Sequence, residues 1–183
     1  MERIDPRARS DVYGARINRA HSPTLAMVVP WLSVLIASII PVFFIASGLP
    51  WLPPLGFMML LAWRLVRPGL FPVWAGAPLG FFDDLFSGQP LGSAVLLWSL
   101  SLLAIELLET RLPWRSFVQD WFTAGLVLVV YCPLAMLASG ASPSLPMLIA
   151  LGPQIMLSIF LFPVFARLIA ALDRFRLRRR RVG

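Results

Sequence analysis

Six stretches of apolar residues follow one another along the chain, each bounded by a short polar or turn-forming segment. They are Leu25–Ser47, Trp51–Trp63, Leu70–Phe86, Leu91–Leu108, Phe117–Ala138 and Met147–Ile169. Most approach the roughly 20 residues that an α-helix needs to cross the hydrocarbon layer of a bilayer. The pattern therefore predicts an all-α polytopic membrane bundle of about six transmembrane helices.

The second stretch, Trp51–Trp63, is the weakest of the six, because it is too short to cross perpendicular to the membrane. Two interpretations stay open. The segment either enters and leaves the membrane on one side, or it is lengthened by flanking residues, Leu49-Pro50 before it and Arg64–Val66 after it.

Composition supports a membrane protein. Hydrophobic residues make up 58% of the 183-residue chain, whereas soluble domains are about 45–50% apolar. Too few polar residues remain to cover a water-facing surface of this size. We expect a polar N-terminal tail at residues 1–24, a membrane domain at 25–169 and an arginine-rich C-terminal tail at 170–183.

All 16 basic residues are arginines, and a six-span model places every one of them on the same side of the membrane. They fall in the N-terminal tail, the turn at 64–69, the loop at 111–115 and the region from Arg167 onward. The intervening turns near 48–50, 87–90 and 139–146 contain none. Cytoplasmic loops carry an excess of basic residues. We therefore predict a multi-pass protein with both termini in the cytoplasm.

The positive charge indicates anionic lipid rather than nucleic acid, because the arginines flank apolar runs. We assign the C-terminal arginines to lipid headgroups: Arg174, Arg176, Arg178, Arg179, Arg180 and Arg181.

The third stretch carries a glycine pattern and two acids. Gly76, Gly80, Asp84 and Gly88 recur every four residues, so they share one face of a helix. Small residues let membrane helices approach closely, and Asp84 is thus predicted to point into a packed seam. Asp83 is turned about 100° away, so the two carboxylates are not expected to converge. The alternative is that both carboxylates are exposed to water at the outer end of the span.

No motif of an enzyme or a metal site is visible in the sequence. His21 and Cys132 are the only residues of their kinds, and we read Cys132 as a packing residue. Glu106 and Glu109 are interpreted as interfacial carboxylates near Arg111. The tryptophans are interpreted as anchors at the membrane interfaces. We expect no cofactor.

The segment Trp51–Gly92 contains further motifs: Trp63-Arg-Leu-Val-Arg-Pro68, and then Gly80-Phe-Phe-Asp-Asp-Leu-Phe-Ser-Gly-Gln-Pro-Leu-Gly92. These motifs resemble those of the rod shape-determining protein family MreD, whose length and span number also agree with this chain. The motif positions are Arg64, Arg67, Gly80, Asp84, Gly88 and Gly92. Phe81 replaces the family's usual leucine and Asp83 is an additional acid, which leaves open which carboxylate functions.

The resemblance implies a non-enzymatic part of the cell-elongation machinery in the bacterial inner membrane, which organises lateral peptidoglycan synthesis. It implies MreC as the partner and, more distantly, MreB, RodA and a class B penicillin-binding transpeptidase. It also implies a fold similar to the S-component of energy-coupling-factor transporters. Packing or partner contact is then expected of seven residues: Gly76, Gly80, Asp84, Gly88, Gly92, Arg64 and Arg67.

Two other functions are considered. A substrate-binding subunit of a vitamin-type transporter would need an outer pocket with a few convergent polar groups, and the short uncharged outer loops disfavour it. A lipid-modifying enzyme would need converging acids or a histidine within the membrane, and the six apolar stretches offer neither.

Overall fold

The computed structural model describes residues 23–45, 52–111, 116–140 and 144–176. These residues form six α-helices and a short 3₁₀ helix, and no strand. The α-helices are α1 (Pro23–Ile45), α2 (Leu55–Val66), α3 (Gly76–Ser87), α4 (Ser93–Arg111), α5 (Phe117–Ala138) and α6 (Leu145–Arg176), with the 3₁₀ helix at Val73–Ala75. The predicted all-α fold is confirmed.

Helices α1, α4, α5 and α6 are long and apolar enough to cross a membrane. They leave large apolar side chains such as Met27, Leu96, Phe122 and Phe160 exposed, as a lipid-facing surface requires. The protein is therefore a multi-pass membrane protein. Helices α2 and α3 have 12 residues each, which corresponds to a length of about 18 Å.

The short helix α2 lies at the centre of the bundle. It packs against α1, α4, α5 and α6, and every residue from Gly56 to Leu65 is buried. Its leucine, methionine and alanine residues favour a helix, and Pro54 precedes the first turn, where a proline is tolerated. The helix includes Arg64–Val66, as the second interpretation of the weak stretch proposed, but it begins only at Leu55, after Pro53 and Pro54; Leu49-Pro50 lie outside the described residues. Because protein surrounds it, α2 need not match the thickness of the lipid.

Helix α3 is shorter than the predicted span at Leu70–Phe86. The chain is irregular through Pro68, Gly69 and Pro72, and then forms the 3₁₀ turn before α3 begins at Gly76. Prolines lack a backbone N–H and restrict the preceding residue, which delays the helix.

The arginines that form ion pairs among the described residues lie at one end of the bundle. At one end, the Arg176 guanidinium of α6 donates a hydrogen bond of 2.9 Å to the carbonyl of Ala26 in α1. At the other, Gln154 of α6 donates one of 2.9 Å to the carbonyl of Leu52. We call the first the arginine end, since Arg64, Arg67 and Arg176 lie there, and the second the cavity end.

Two local features complete the description of the fold. Ser116 caps α5 by accepting a hydrogen bond of 3.3 Å from the Gln119 N–H. The interpretation of tryptophans as interface anchors is wrong for Trp63 and Trp98, which are fully buried. Their indole N–H groups donate to Ser33 Oγ at 2.8 Å and to Tyr131 Oη at 3.3 Å, and such bonds make a buried indole tolerable.

Candidate functional site

Asp84 is a buried carboxylate that organises the start of α4. Its side chain is 3% exposed. It accepts hydrogen bonds from the backbone N–H groups of Gly92 at 2.8 Å and Ala94 at 2.9 Å, and from the Ser93 hydroxyl at 3.0 Å. The first N–H groups of a helix have no partner within it, and a negative charge there is favourable. Asp84 therefore acts as the N-terminal cap of the next helix.

The glycine face of α3 packs directly on α4. A Cβ atom on Gly76 would lie 2.8 Å from the backbone nitrogen of Ser99. A Cβ atom on Gly80 would lie 2.7 Å from the carbonyl of Ala94. These distances leave no room for a side chain. The close seam predicted from the four-residue spacing is present, and it joins two helices of the same chain.

Gly88 and Gly92 shape the turn that follows α3. Gly88 ends the helix with φ of +68° and Gly92 has φ of +98°. Side chains other than glycine rarely adopt such angles. The two glycines turn the chain so that the first residues of α4 return to Asp84.

Arg64 is the centre of an ion-pair cluster at the arginine end. Its guanidinium is almost fully buried and contacts both Glu106 and Glu109 of α4, the latter at 3.0 Å. Two carboxylates three residues apart share a helix face, which lets them approach one arginine. The interpretation of these glutamates as interfacial partners of Arg111 therefore missed their contact with Arg64.

A second cluster links α2, α6 and α1. Arg67 pairs with the buried carboxylate of Asp173, which also accepts a hydrogen bond of 2.7 Å from Arg176 Nε. Arg176 also lies over the Trp63 ring, with its guanidinium carbon 5.4 Å from the ring centroid. The assignment of Arg176 to lipid headgroups is wrong, because α6 continues to this residue and buries it. Arg174 is exposed, and Arg178, Arg179, Arg180 and Arg181 lie outside the described residues.

A cavity of about 560 Å³ opens at the cavity end. Its walls come from α1, α2, α3, α5 and α6, and it sits over the N-terminus of α2. Apolar side chains form much of the lining, including Pro41, Leu55 and Met136. Its polar lining residues are Ser38, Asp83, Ser87, Gln89, Tyr131, Ser139 and Gln154.

Asp83 and Ser38 meet beside Gly56 in this cavity. A Cβ atom on Gly56 would lie 2.9 Å from Asp83 Oδ1 and would collide with Ser38 Oγ. Ser38 is 4% exposed, and its hydroxyl has no hydrogen-bond partner of good geometry among the described residues. Asp83 thus points into the cavity, whereas Asp84 points to the start of α4, and the two carboxylates do not converge, as the helical spacing predicted.

Tyr131 forms a rigid wall of the cavity. Its ring stacks on Phe57 with centroids 3.8 Å apart, and its hydroxyl accepts the Trp98 hydrogen bond described above. Cys132 beside it is buried, consistent with a packing role.

The polar groups of the described chain stabilise the fold and line a cavity. Within those residues, no group of three or more His, Cys, Asp or Glu side chains is placed to hold a metal ion. The roles of Glu106, Glu109 and Asp173 were not predicted from the sequence. The signal that identifies them is electrostatic: an arginine inside an apolar helix needs a carboxylate at the same depth.

Comparison with known proteins agrees with the motifs. Residues 19–176 match the family model described as rod shape-determining protein MreD. No curated protein and no solved structure matches the chain significantly. The similarity to a transporter S-component therefore stays a prediction.

Proposed function

The chain belongs to the MreD family of rod shape-determining proteins, and from that membership we propose that it is a non-enzymatic inner-membrane component of the bacterial cell-elongation complex. In this role it maintains cell shape by organising lateral peptidoglycan synthesis with MreC. MreB, RodA and a class B penicillin-binding transpeptidase are its more distant partners. The family match across residues 19–176 is the observation that carries the proposal.

The use of the buried charges supports a scaffold. Asp84 caps α4, Arg64 joins α2 to α4, and Asp173 joins α6 to α2. Buried charges need partners, and these are partnered inside the chain. These three charged groups thus hold helices in fixed positions, as a protein that presents a surface to partners requires.

The contact with MreC needs a surface other than the glycine face of α3, because α4 covers Gly76 and Gly80. We place it at a recess of about 270 Å³ between α4 and α5, lined by Leu97, Leu100, Ser101, Ala104, Leu126, Val127, Val130, Tyr131 and Leu134. Small residues at a recess let another helix approach closely within lipid. Ser101 and Ala104 supply them here.

Recovery of MreC with the purified protein tests this proposal. Ala104→Leu fills the recess and is expected to reduce MreC recovery from detergent-solubilised membranes at least about fivefold, a coupling of about 1 kcal/mol. Ala170→Leu is the matched control, since Ala170 is also exposed but lies on α6. Equal recovery with both variants would exclude the recess. No recovery of MreC with the native chain would contradict the partnership itself.

A transporter subunit remains the alternative function, and the cavity at the cavity end is the observation that favours it. That cavity meets the requirement of an outer pocket with several polar groups, although the loops around it are short. A vitamin-binding assay on the purified protein distinguishes the two functions. The family match favours the role in cell shape.

A further inference from the structure

The cavity beside Asp83 has the construction of a ligand site. Its volume of about 560 Å³ lies in the range of small-molecule pockets, which are mostly apolar with a few placed polar groups. Five of the six helices contribute to its walls. Nothing in the scaffold role described above uses this space.

We propose that the cavity binds an amphipathic molecule through a primary ammonium group held by Asp83, with the apolar part of the molecule against the cavity wall. The ammonium belongs either to a free amine or to the ethanolamine headgroup of a phospholipid. Both sources present the same chemistry to the protein.

The charge of the cavity selects a cation. Among the described residues that line the cavity, Asp83 is the single carboxylate and none is an arginine, lysine or histidine. The described arginines that form ion pairs, Arg64, Arg67 and Arg176, are at the opposite end. An acid at membrane depth normally has a cationic or hydrogen-bonded partner. An ammonium group supplied from outside would complete that pairing.

Ser38 is the second polar group of the site. Its buried hydroxyl lines the cavity and interacts with Asp83, and it forms no hydrogen bond of good geometry with the described residues. A buried polar group without a well-formed hydrogen bond is unfavourable, so a donor on a bound ligand would be stabilising. Ser38 Oγ and Asp83 Oδ1 both lie close to Gly56, with Asp83 Oδ1 at 2.9 Å from the position that a Cβ atom would take and Ser38 Oγ still nearer to it, so one donor group can reach both oxygens. A divalent metal ion fits less well, because it takes six or more oxygen ligands.

Binding of 2-phenylethylamine tests the proposal directly. The protein is placed in nanodiscs of phosphatidylglycerol, which lacks an amine, and binding is measured by calorimetry. The amine is expected to bind, whereas 3-phenylpropionate, which carries a carboxylate in place of the amine, is not. Asp83→Asn removes the charge at constant size and is expected to weaken binding about tenfold or more, as the loss of a charge-assisted hydrogen bond predicts.

Two further variants make the result specific. Asp120→Asn makes the same change on α5, eleven positions before Tyr131 and therefore about 16 Å from it along the helix, and it is expected to leave binding unchanged. Ser38→Ala removes the second oxygen acceptor without adding any atom to the packed helices, and is expected to weaken binding about threefold or more without changing the charge. It covers the case in which Asp83→Asn does not fold.

The lipid composition of the nanodiscs separates the two sources. In phosphatidylethanolamine the headgroup competes with the probe, and the apparent affinity for 2-phenylethylamine falls about tenfold if the lipid is the occupant. An unchanged affinity assigns the site to a free amine. Equal binding of the amine and the carboxylate, binding unaffected by Asp83→Asn, or no binding in either lipid would overturn the proposal.

Discussion

Asp83 and Asp84 are neighbours on α3, and helical geometry turns their side chains about 100° apart. Asp84 enters the seam with α4 and caps that helix, whereas Asp83 faces the cavity. The four-residue spacing with Gly76 and Gly80 was enough to predict the direction of Asp84. Its acceptor role was not predictable, because it depends on the turn at Gly88–Gly92 that brings the N–H groups of α4 back to it.

Replacing Asp84 by Asn tests the capping role. An amide has one acceptor oxygen and carries N–H groups, so it cannot accept all the bonds that Asp84 accepts. We expect Asp84→Asn to lower the free energy of unfolding by about 1–3 kcal/mol, and Asp83→Asn to lower it by less. Thermal unfolding in a mild detergent measures both. Equal stability of the two variants would contradict the cap.

The cluster at Arg64 predicts a non-additive effect. With one glutamate replaced, the other still neutralises the buried guanidinium, and we expect Glu106→Gln or Glu109→Gln alone to cost up to about 1 kcal/mol. With both replaced the charge is buried without a partner, at a cost of about 3–5 kcal/mol. Unfolding of the two single variants and the double variant forms the cycle. Additive losses would show that the glutamates do not share Arg64.

At the scale of the elements, apolar runs predicted which segments are helices, and α5 begins and ends where the sequence predicted. The short helices were less predictable. Their lengths depend on burial by the neighbouring helices, and hydropathy along the sequence does not contain that information. Helix α6 continues past Ile169 to Arg176 because Asp173 and Arg176 have partners at the end of α2 and on α1. Hydropathy alone places the end of this helix at Ile169, where the apolar run stops.

The α3–α4 seam predicts opposite effects for two glycines. Gly80→Ala adds a methyl group where 2.7 Å separates the new atom from the α4 backbone. We expect it to lower the free energy of unfolding by about 1–3 kcal/mol. Gly152→Ala in α6 meets no atom within 4 Å and is expected to be neutral or to stabilise by up to about 1 kcal/mol. Melting temperatures that fall equally would argue against the seam.

At the scale of the whole molecule, six helices alternate between an arginine end and a cavity end. The distribution of arginines along the sequence predicted this alternation, including the weak second helix. The positions of basic residues in the loops indicate how each helix is oriented, and this signal does not depend on the hydropathy of the helix itself. The cavity was not predictable, since it arises from the different lengths of helices packed side by side. The sequence-based argument from short, uncharged loops pointed away from it.

The orientation in the membrane is tested by reporter fusions. The excess of arginine at one end predicts that a fusion at Gly183 reports a cytoplasmic location and a fusion after Gly140 a periplasmic one. Alkaline phosphatase and a fluorescent protein, each active on one side only, give paired readouts at both sites. A periplasmic Gly183 would refute the model of six alternating spans.

We infer that this protein determines cell shape as a folded membrane scaffold. The most direct measurement is the shape of rod-forming cells depleted of the protein and supplied with variants at equal membrane levels. We expect depleted cells to become round and the native chain to restore rods, while Asp84→Asn, which loosens α4, restores them only in part. Depleted cells that keep their rod shape, or rods restored equally by every variant, would contradict the account.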